Sequence, residues 1–204
     1  MVARIAVIGT GNVGKAIAEG LKRKYEVRFG SRNHAKVNRI NGIEVTSPER
    51  AVRWGEVVFL AVPYGAVKDT IASIGEANFK GKVVVDVTNP LTEQLDLAIG
   101  YKTSAAEELA KLIPEAKIVK AFNYVFAANM PSSEVKGEKL TLFVAGDDSD
   151  AKSVVMRMGS DIGFDPVDSG PLSYSRYLEP MAIFIVRLAY RHGFGTNIGF
   201  RLVH

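Results

Sequence analysis

The sequence predicts an α/β protein: a doubly wound, mostly parallel sheet with a small helical appendage at its C-terminal end. Three observations carry that expectation. Short runs rich in Val and Ile alternate with segments whose apolar residues recur at helical spacing, the pattern of successive βαβ units. Several of those runs are apolar without alternation, as strands covered on both faces are. The first run leads directly into Gly9-Thr10-Gly11-Asn12-Val13-Gly14, a glycine-rich turn that opens an amphipathic segment.

The elements follow in order. Ile5 to Ile8 reads as a buried strand, and Val13, Ala16, Ile17, Gly20 and Leu21 mark one face of the helix after it. Residues 25–29 read as the second strand, 35–40 as a short helix and 42–46 as a third strand. Ser47 and Pro48 open a helix, Ser as N-cap and Pro in the first turn. Residues 57–62 form a central strand ended by Pro63, and Val67, Ile71 and Ile74 share the next helix face. Residues 82–87 are a fifth strand, Ala106, Leu109, Ala110 and Ile113 another helix face, and 117–122 a sixth strand. Right-handed crossovers then give the Rossmann wind. A further strand at 140–145 is followed by Gly146-Asp147-Asp148-Ser149-Asp150, acids that cap a helix from about 151 to 159. Residues 165–171 are a short strand and turn, 173–192 a long helix, and 193–200 a glycine-rich tail.

The G-x-G-x-x-G spacing between strand and helix is the fingerprint of dinucleotide binding. Gly9 permits the tight turn, Gly11 lets a pyrophosphate approach the backbone, and Gly14 lets the helix pack close to the strand. The helix N-terminus offers free N–H groups and partial positive charge to the phosphates. At the end of the second strand an NAD site usually carries an acid for the ribose 2′-hydroxyl. Here Gly30-Ser31-Arg32-Asn33-His34 has none. Ser31 and Arg32 suit a 2′-phosphate, and Lys36, placed one helical turn on, adds a second cation, so the site favours NADP(H). Each such bond contributes about 1.5–3 kcal/mol.

Ligands of open parallel sheets bind at the carboxyl ends of the strands, near the switch in strand order. The ends here are Gly9 and Thr10, Ser31 and Arg32, Ala61-Val62-Pro63, Asn89 with Pro90, and Asn123. Ala61, Val62 and Pro63 are expected beside the adenosine half, with Asn89 and Asn123 presenting amides to the nicotinamide or its ribose. Pro63 and Pro90 also serve as strand terminators, and either Asn as a turn residue; recurrence at successive strand ends is what favours a site.

Composition narrows the rest. The 204 residues hold 47% hydrophobic and 24% charged residues, ordinary for a soluble globular chain. A net charge of +4 without a basic run interleaved with aromatics gives no case for nucleic acid. No cysteine is present, which excludes disulfides, a thiolate nucleophile and cysteine-ligated clusters. The apolar opening is too short for a secretory leader and the apolar run at 181–186 too short for a membrane span; a cytoplasmic protein without membrane contact is expected. His34, His192 and His204 are scattered, with no Ser/His/Asp grouping. Tyr64 is more readily a packing residue than a proton donor. A cofactor site without an evident general acid fits hydride exchange between stacked redox rings, which needs mainly alignment.

The chain resembles the NADPH-dependent reductases of the deazaflavin coenzyme F420 and their relatives. The opening Ile8-Gly9-Thr10-Gly11-Asn12-Val13-Gly14 and Gly30-Ser31-Arg32 carry the likeness. So do Ser104-Ala105-Ala106-Glu107, Gly146-Asp147-Asp148 and the stretches 168–176 and 195–200. It covers nearly the whole chain, and the late stretches are its more specific part. The resemblance implies an NADP-binding domain, residues 1–147, and a small C-terminal part, 148–204, that completes the substrate pocket and a homodimer surface around residues 181–188. It implies Thr10, Asn12 and Val13 at the pyrophosphate, Ser31, Arg32 and Lys36 at the 2′-phosphate, and Pro63, Asn89 and Ala121 at the nicotinamide. The second redox ligand is left between coenzyme F420 and FMN or FAD, because residues 87–90 and 120–123 are closer to the reductase domain of the STEAP metalloreductases and to other bacterial dinucleotide-binding proteins. A ferric or flavin reductase and a non-catalytic NADP(H) sensor are the alternatives. An imine reductase shares the opening but needs a longer helical C-terminal domain.

Overall fold

The computed structural model describes residues 3–203, so His204 lies outside it. The central strands are β1 (Arg4–Ile8), β2 (Glu26–Gly30), β3 (Arg39–Ile40), β4 (Ile43–Thr46), β5 (Val57–Leu60), β6 (Val83–Asp86) and β7 (Lys117–Lys120). After a small hairpin of β8 (Glu134–Val135) and β9 (Glu138–Lys139) come β10 (Thr141–Gly146) and β11 (Asp165–Gly170). Nine strands form one sheet in the order β11-β10-β7-β6-β5-β1-β2-β4-β3. β4, β2, β1, β5, β6 and β7 are mutually parallel, the doubly wound arrangement with its switch between β1 and β5. β10 lies antiparallel beside β7, and β11 parallel to β10.

Among the described residues, six α-helices cover the sheet: α1 (Asn12–Leu21), α2 (Pro48–Trp54), α3 (Val67–Ile74), α4 (Ala105–Leu112), α5 (Ser149–Ile162) and α6 (Ser175–Arg191). Side chains of a strand alternate between faces, and β1 divides its core residues accordingly. Ile5 and Val7 join Ile17 and Leu21 of α1, Val155 of α5 and Phe29, Phe59 and Phe164 in one layer. Ala6 and Ile8 join Val52 of α2, Ile71 and Ile74 of α3 and Leu109 of α4 in the other. Both faces are buried at the centre of the sheet, so β1 from Ile5 and the whole of β5 are apolar.

The caps follow the sequence closely. Ser47 Oγ accepts from Arg50 N at the start of α2, and Asp148 Oδ1 from Ala151 N at 2.8 Å at the start of α5. The expected helix over residues 35–40 is not formed. Residues 32–36 are turns, and β3 reverses into β4 through Asn41 and Gly42, whose φ angles are +50° and +81°. Asn-Gly is the favoured two-residue hairpin turn, and that local signal overrides helix formation. The boundary expected at 147/148 falls in the loop between β10 and α5; the sheet itself continues to β11.

Candidate cofactor site

The glycine loop shows three glycines with three different jobs. Gly9 has φ +112° and donates to Gly30 O at 3.1 Å, which pins the β1 exit to β2. A Cβ there would lie 2.3 Å from Ala61 O. A Cβ on Gly14 would lie 2.4 Å from Gly9 O, so only Gly lets α1 sit this close to the strand exit. Gly11 differs, because a Cβ there would meet nothing within 4 Å. It is the N-cap of α1, supplies no side-chain cap and is followed by no acid in the first turn. The start of α1 therefore has no side-chain cap and no acid in its first turn, with room beside Gly11, a terminus that fits an anion.

Two cavities flank this helix terminus, one lined up to Gly11 and the other from Asn12. One, about 210 Å³, runs toward the end of β2 and is lined by Gly9, Thr10, Gly11, Ser31, Arg32, Ala61, Val62 and Pro63. Arg32 is exposed and makes no ion pair among the described residues, so its guanidinium is available to a ligand. Ser31 Oγ accepts from Asn33 N at 3.2 Å and keeps its own hydrogen to donate. The second cavity, about 400 Å³, runs toward the ends of β6 and β7 and is lined by Asn12, Val13, Asn89 and Asn123. Gly14, Lys36 and Ala121 line neither. Lys36 is exposed on the turn that replaces the expected helix, and Ala121 is wholly buried.

The far wall of the second cavity comes from residues that the sequence reading did not single out, although it expected 148–204 as a whole to complete the pocket. Phe126 follows β7 and Tyr190 ends α6; their rings meet edge to face at 6.1 Å and 82°. Ile185, Val186 and Thr196 add the helix face and the tail. Asn129 holds that tail, its Nδ2 donating to Thr196 O and Ile198 O, each at 2.9 Å. At the cavity floor the two amides interlock. Asn123 Nδ2 donates to Asn89 Oδ1 at 3.0 Å and to Leu178 O at 2.9 Å, and Asn89 Nδ2 donates to Asn123 O at 2.6 Å. Tyr64 sits apart, in the groove between α3 and α4, and burial pushes its phenol up.

Behind Asn123 lies a charged cluster in the protein interior. Lys120 Nζ reaches Asp86 Oδ2 at 2.9 Å, Thr88 O at 2.6 Å and Glu179 Oε1 at 3.0 Å, and all three charged side chains are almost completely buried. Glu179 also accepts from the N–H groups of Ala105 and Ala106, at 2.9 and 3.2 Å, and so caps α4 from α6. Burial disfavours the Lys120 charge, but Asp86 and Glu179 outweigh it and hold the ammonium above its ordinary value. Burial pushes the Glu179 carboxyl up, with Lys120 pulling against it. The signal was present in the sequence: a lysine inside the apolar run 118–122 requires buried partners.

The profile of the family described as "NADP oxidoreductase coenzyme F420-dependent" matches residues 4–90. The crystal structure of a candidate F420-dependent NADP reductase from Arthrobacter superposes with a TM-score of 0.90 at 26% identity, covering 99% of this chain and 100% of that one. These likenesses support an NADP-dependent oxidoreductase. A hypothetical protein of Sinorhizobium meliloti is 31% identical, with a TM-score of 0.71 and coverage of 86% of this chain and 88% of the other. Metalloreductase STEAP3 of Rattus norvegicus is 31% identical over 183 residues, 88% of this chain. The chain spans 36% of the length of the curated STEAP relatives it matches. Among the described residues, no helix is long and apolar enough to cross a membrane.

Proposed function

We propose that this chain binds NADP(H) across the α1 N-terminus and transfers a hydride between NADPH and a deazaflavin such as coenzyme F420, or a flavin. One observation carries the reading. The two cavities lie on either side of the uncapped start of α1, one lined up to Gly11 and the other from Asn12, with an unpaired Arg32 on one side and an aromatic wall on the other. The family and the Arthrobacter neighbour, whose description pairs F420 with NADP, point the same way. In this reading Ser31 and Arg32 hold the 2′-phosphate, and Thr10, Asn12 and Val13 the pyrophosphate. Ala61, Val62 and Pro63 flank the adenosine side, while Asn89 and Asn123 set the floor beneath the nicotinamide. Phe126 and Tyr190 offer ring faces and edges against which a second planar ring stacks.

Bound NADPH supplies the hydride. The chain's own residues supply alignment and a partly dry cleft, and residues 148–204 contribute by delivering α6 and the tail. A homodimer is proposed through the exposed aromatic side of α6, where Tyr177 is 65% and Phe184 57% exposed; sedimentation of wild type and Phe184→Glu tests it. The reaction is tested by anaerobic mixing with NADPH and, separately, the deazaflavin, FMN and FAD, following bleaching of each chromophore. Bleaching of the deazaflavin alone supports the F420 reading, and bleaching of FMN or FAD alone places the protein with the flavin reductases. Tight NADPH binding with no bleaching favours another acceptor or a sensing role.

A further inference from the structure

Glu179 is wholly buried on α6, and both of its carboxylate oxygens are engaged. Oε2 accepts from Ala105 N at 2.9 Å, and Oε1 from Ala106 N at 3.2 Å and Lys120 Nζ at 3.0 Å. One side chain thus ties α6 to the start of α4 and to the end of β7. The neighbouring peptide adds a third tie, because Leu178 O accepts from Asn123 Nδ2 at 2.9 Å. Stability alone does not call for this arrangement. A buried ion pair adds little over apolar side chains of similar volume, since desolvation of the charges offsets their attraction. Its directional contacts do something else. An apolar face packs at several rotations of a helix, whereas this carboxylate meets two N–H groups and an ammonium at only one.

The rotation of α6 matters to the cleft. At about 3.6 residues per turn, Val186 and Tyr190, seven and eleven positions beyond Glu179, lie within about 20° of it around the helix axis. Both line the second cavity, and Tyr190 meets Phe126 there. The stripe that carries Glu179 inward at one end therefore carries the cavity wall at the other. The remaining polar ties of α6 are softer. Its N-terminal boundary has no side-chain cap, and Pro180 removes one i→i−4 bond directly after Glu179, the point at which the helix would bend. Arg176 pairs with Glu107 from a partly exposed position, and Arg187 and Arg191 reach the loop at 94–96 with exposed atoms.

We infer, resting on the hydride-transfer reading above and deepening it, that Glu179 is the positioning residue for the second ring: it fixes the rotation of α6 and so sets Val186 and Tyr190 where the acceptor stacks in line for the hydride. Glu179 itself touches neither the dinucleotide nor the acceptor. A turn of α6 by about 20° moves its side-chain tips by about 2 Å, and a misplacement of about 1 Å at the reacting centres costs on the order of a hundredfold in rate.

The test uses Glu179→Gln, which keeps the volume but sets an amide NH₂ against the N–H groups of α4 or the ammonium. NADPH affinity is measured by titration, and hydride transfer by anaerobic stopped flow at saturating levels of whichever of coenzyme F420, FMN and FAD the wild type bleaches. NADPH affinity is expected to stay within about twofold of wild type, because no residue of α6 lines the cavity that holds Ser31 and Arg32. The transfer rate at saturation is expected to fall by about tenfold to a hundredfold. The triple variant Lys120→Met, Glu179→Leu, Asp86→Leu separates alignment from stability: it leaves no buried charge without a partner, yet its transfer rate is expected to stay as low. Circular dichroism establishes that each variant is folded, and either folded variant decides the matter. A folded Glu179→Gln that transfers at the wild-type rate overturns the inference. So does an equal loss of NADPH affinity and rate, or a rate that recovers in the triple variant, each the mark of a purely structural role. A wild type that binds NADPH and bleaches none of the three acceptors overturns the hydride-transfer reading and this inference with it.

Discussion

Lys120 Nζ lies 3.0 Å from Glu179 Oε1, and that contact ties the last helix to the end of β7 inside the protein. The ammonium has three donors and meets three acceptors, so it is fully satisfied. Two carboxylates share one cation, however, and removing the cation leaves both buried. Lys120→Met is therefore expected to lose about 3–5 kcal/mol of stability, the scale for breaking a buried pair from one side. Urea denaturation of wild type and variant reads this directly. Pairing Lys120→Met with Glu179→Leu and Asp86→Leu is expected to cost less than the single change, because no buried charge then lacks a partner.

The glycines separate folding from binding. Gly11→Ser places a hydroxyl at the N-cap of α1, where Ser is a better cap than Gly by a few tenths of a kcal/mol, and open space receives it. Its oxygen then competes for the amides proposed to hold the pyrophosphate. The expected result is unchanged or slightly higher thermal stability with NADPH affinity reduced on the order of a hundredfold, about two charged hydrogen bonds. Gly14→Ala is expected to behave in the opposite order. Its Cβ would lie 2.4 Å from Gly9 O, and such overpacking costs about 1–3 kcal/mol before any ligand is considered.

Arg32 decides the choice between the two dinucleotides. It stands at the end of β2 with no acid beside it in the 210 Å³ cavity lining. Arg32→Asp is expected to weaken NADPH binding by about tenfold to a hundredfold, the loss of one charge-assisted bond plus a like charge at the 2′-phosphate. NADH, which lacks that phosphate, is expected to bind as well or better. Titrating both reduced dinucleotides gives the answer, and an unchanged NADPH affinity would remove Arg32 from the site.

What was legible in the chain follows the range of the interactions. β1, the glycine loop and the caps at Ser47 and Asp148 are set by neighbours a few residues apart, and they stand where the sequence placed them. The eight strand-end residues from Gly9 to Pro63 and the four from Asn12 to Asn123 could be placed because a parallel sheet brings successive strand ends to one edge. The helix expected at 35–40 does not form because the Asn41-Gly42 turn folds β3 back onto β4. The Lys120 cluster and the Phe126–Tyr190 wall were illegible in their pairing, not their composition: Lys120 meets Glu179 across 59 positions of sequence and Phe126 meets Tyr190 across 64. No local rule selects such partners. The docking of α6 over the sheet edge does, and its N-terminal boundary carries no side-chain cap to announce it.

A last prediction concerns the opposite flank, where Tyr25 Oη donates to Asp161 and Lys24 pairs with the same carboxylate, joining the α1–β2 turn to α5. Burial, reinforced by the bond to Asp161, pushes the Tyr25 phenol up to about 12. The Lys24 and Tyr25 hydrogen bonds hold the Asp161 carboxyl below its ordinary value of 3.8. A tyrosine whose pKa is raised by folding contributes stability that is complete below the unfolded value near 10 and is lost as the pH rises through the folded one. A depressed carboxyl contributes stability that is complete above its unfolded value and is lost as the pH falls through the folded one. The stability gap between wild type and Tyr25→Phe is therefore expected to be widest across neutral pH. It should close on the alkaline side between pH 10 and about 12, and narrow on the acid side below pH 3.8. Guanidinium unfolding at a series of pH values measures the gap; a gap that is flat from pH 7 to 12 would mean that Tyr25 titrates alike in the folded and unfolded chains.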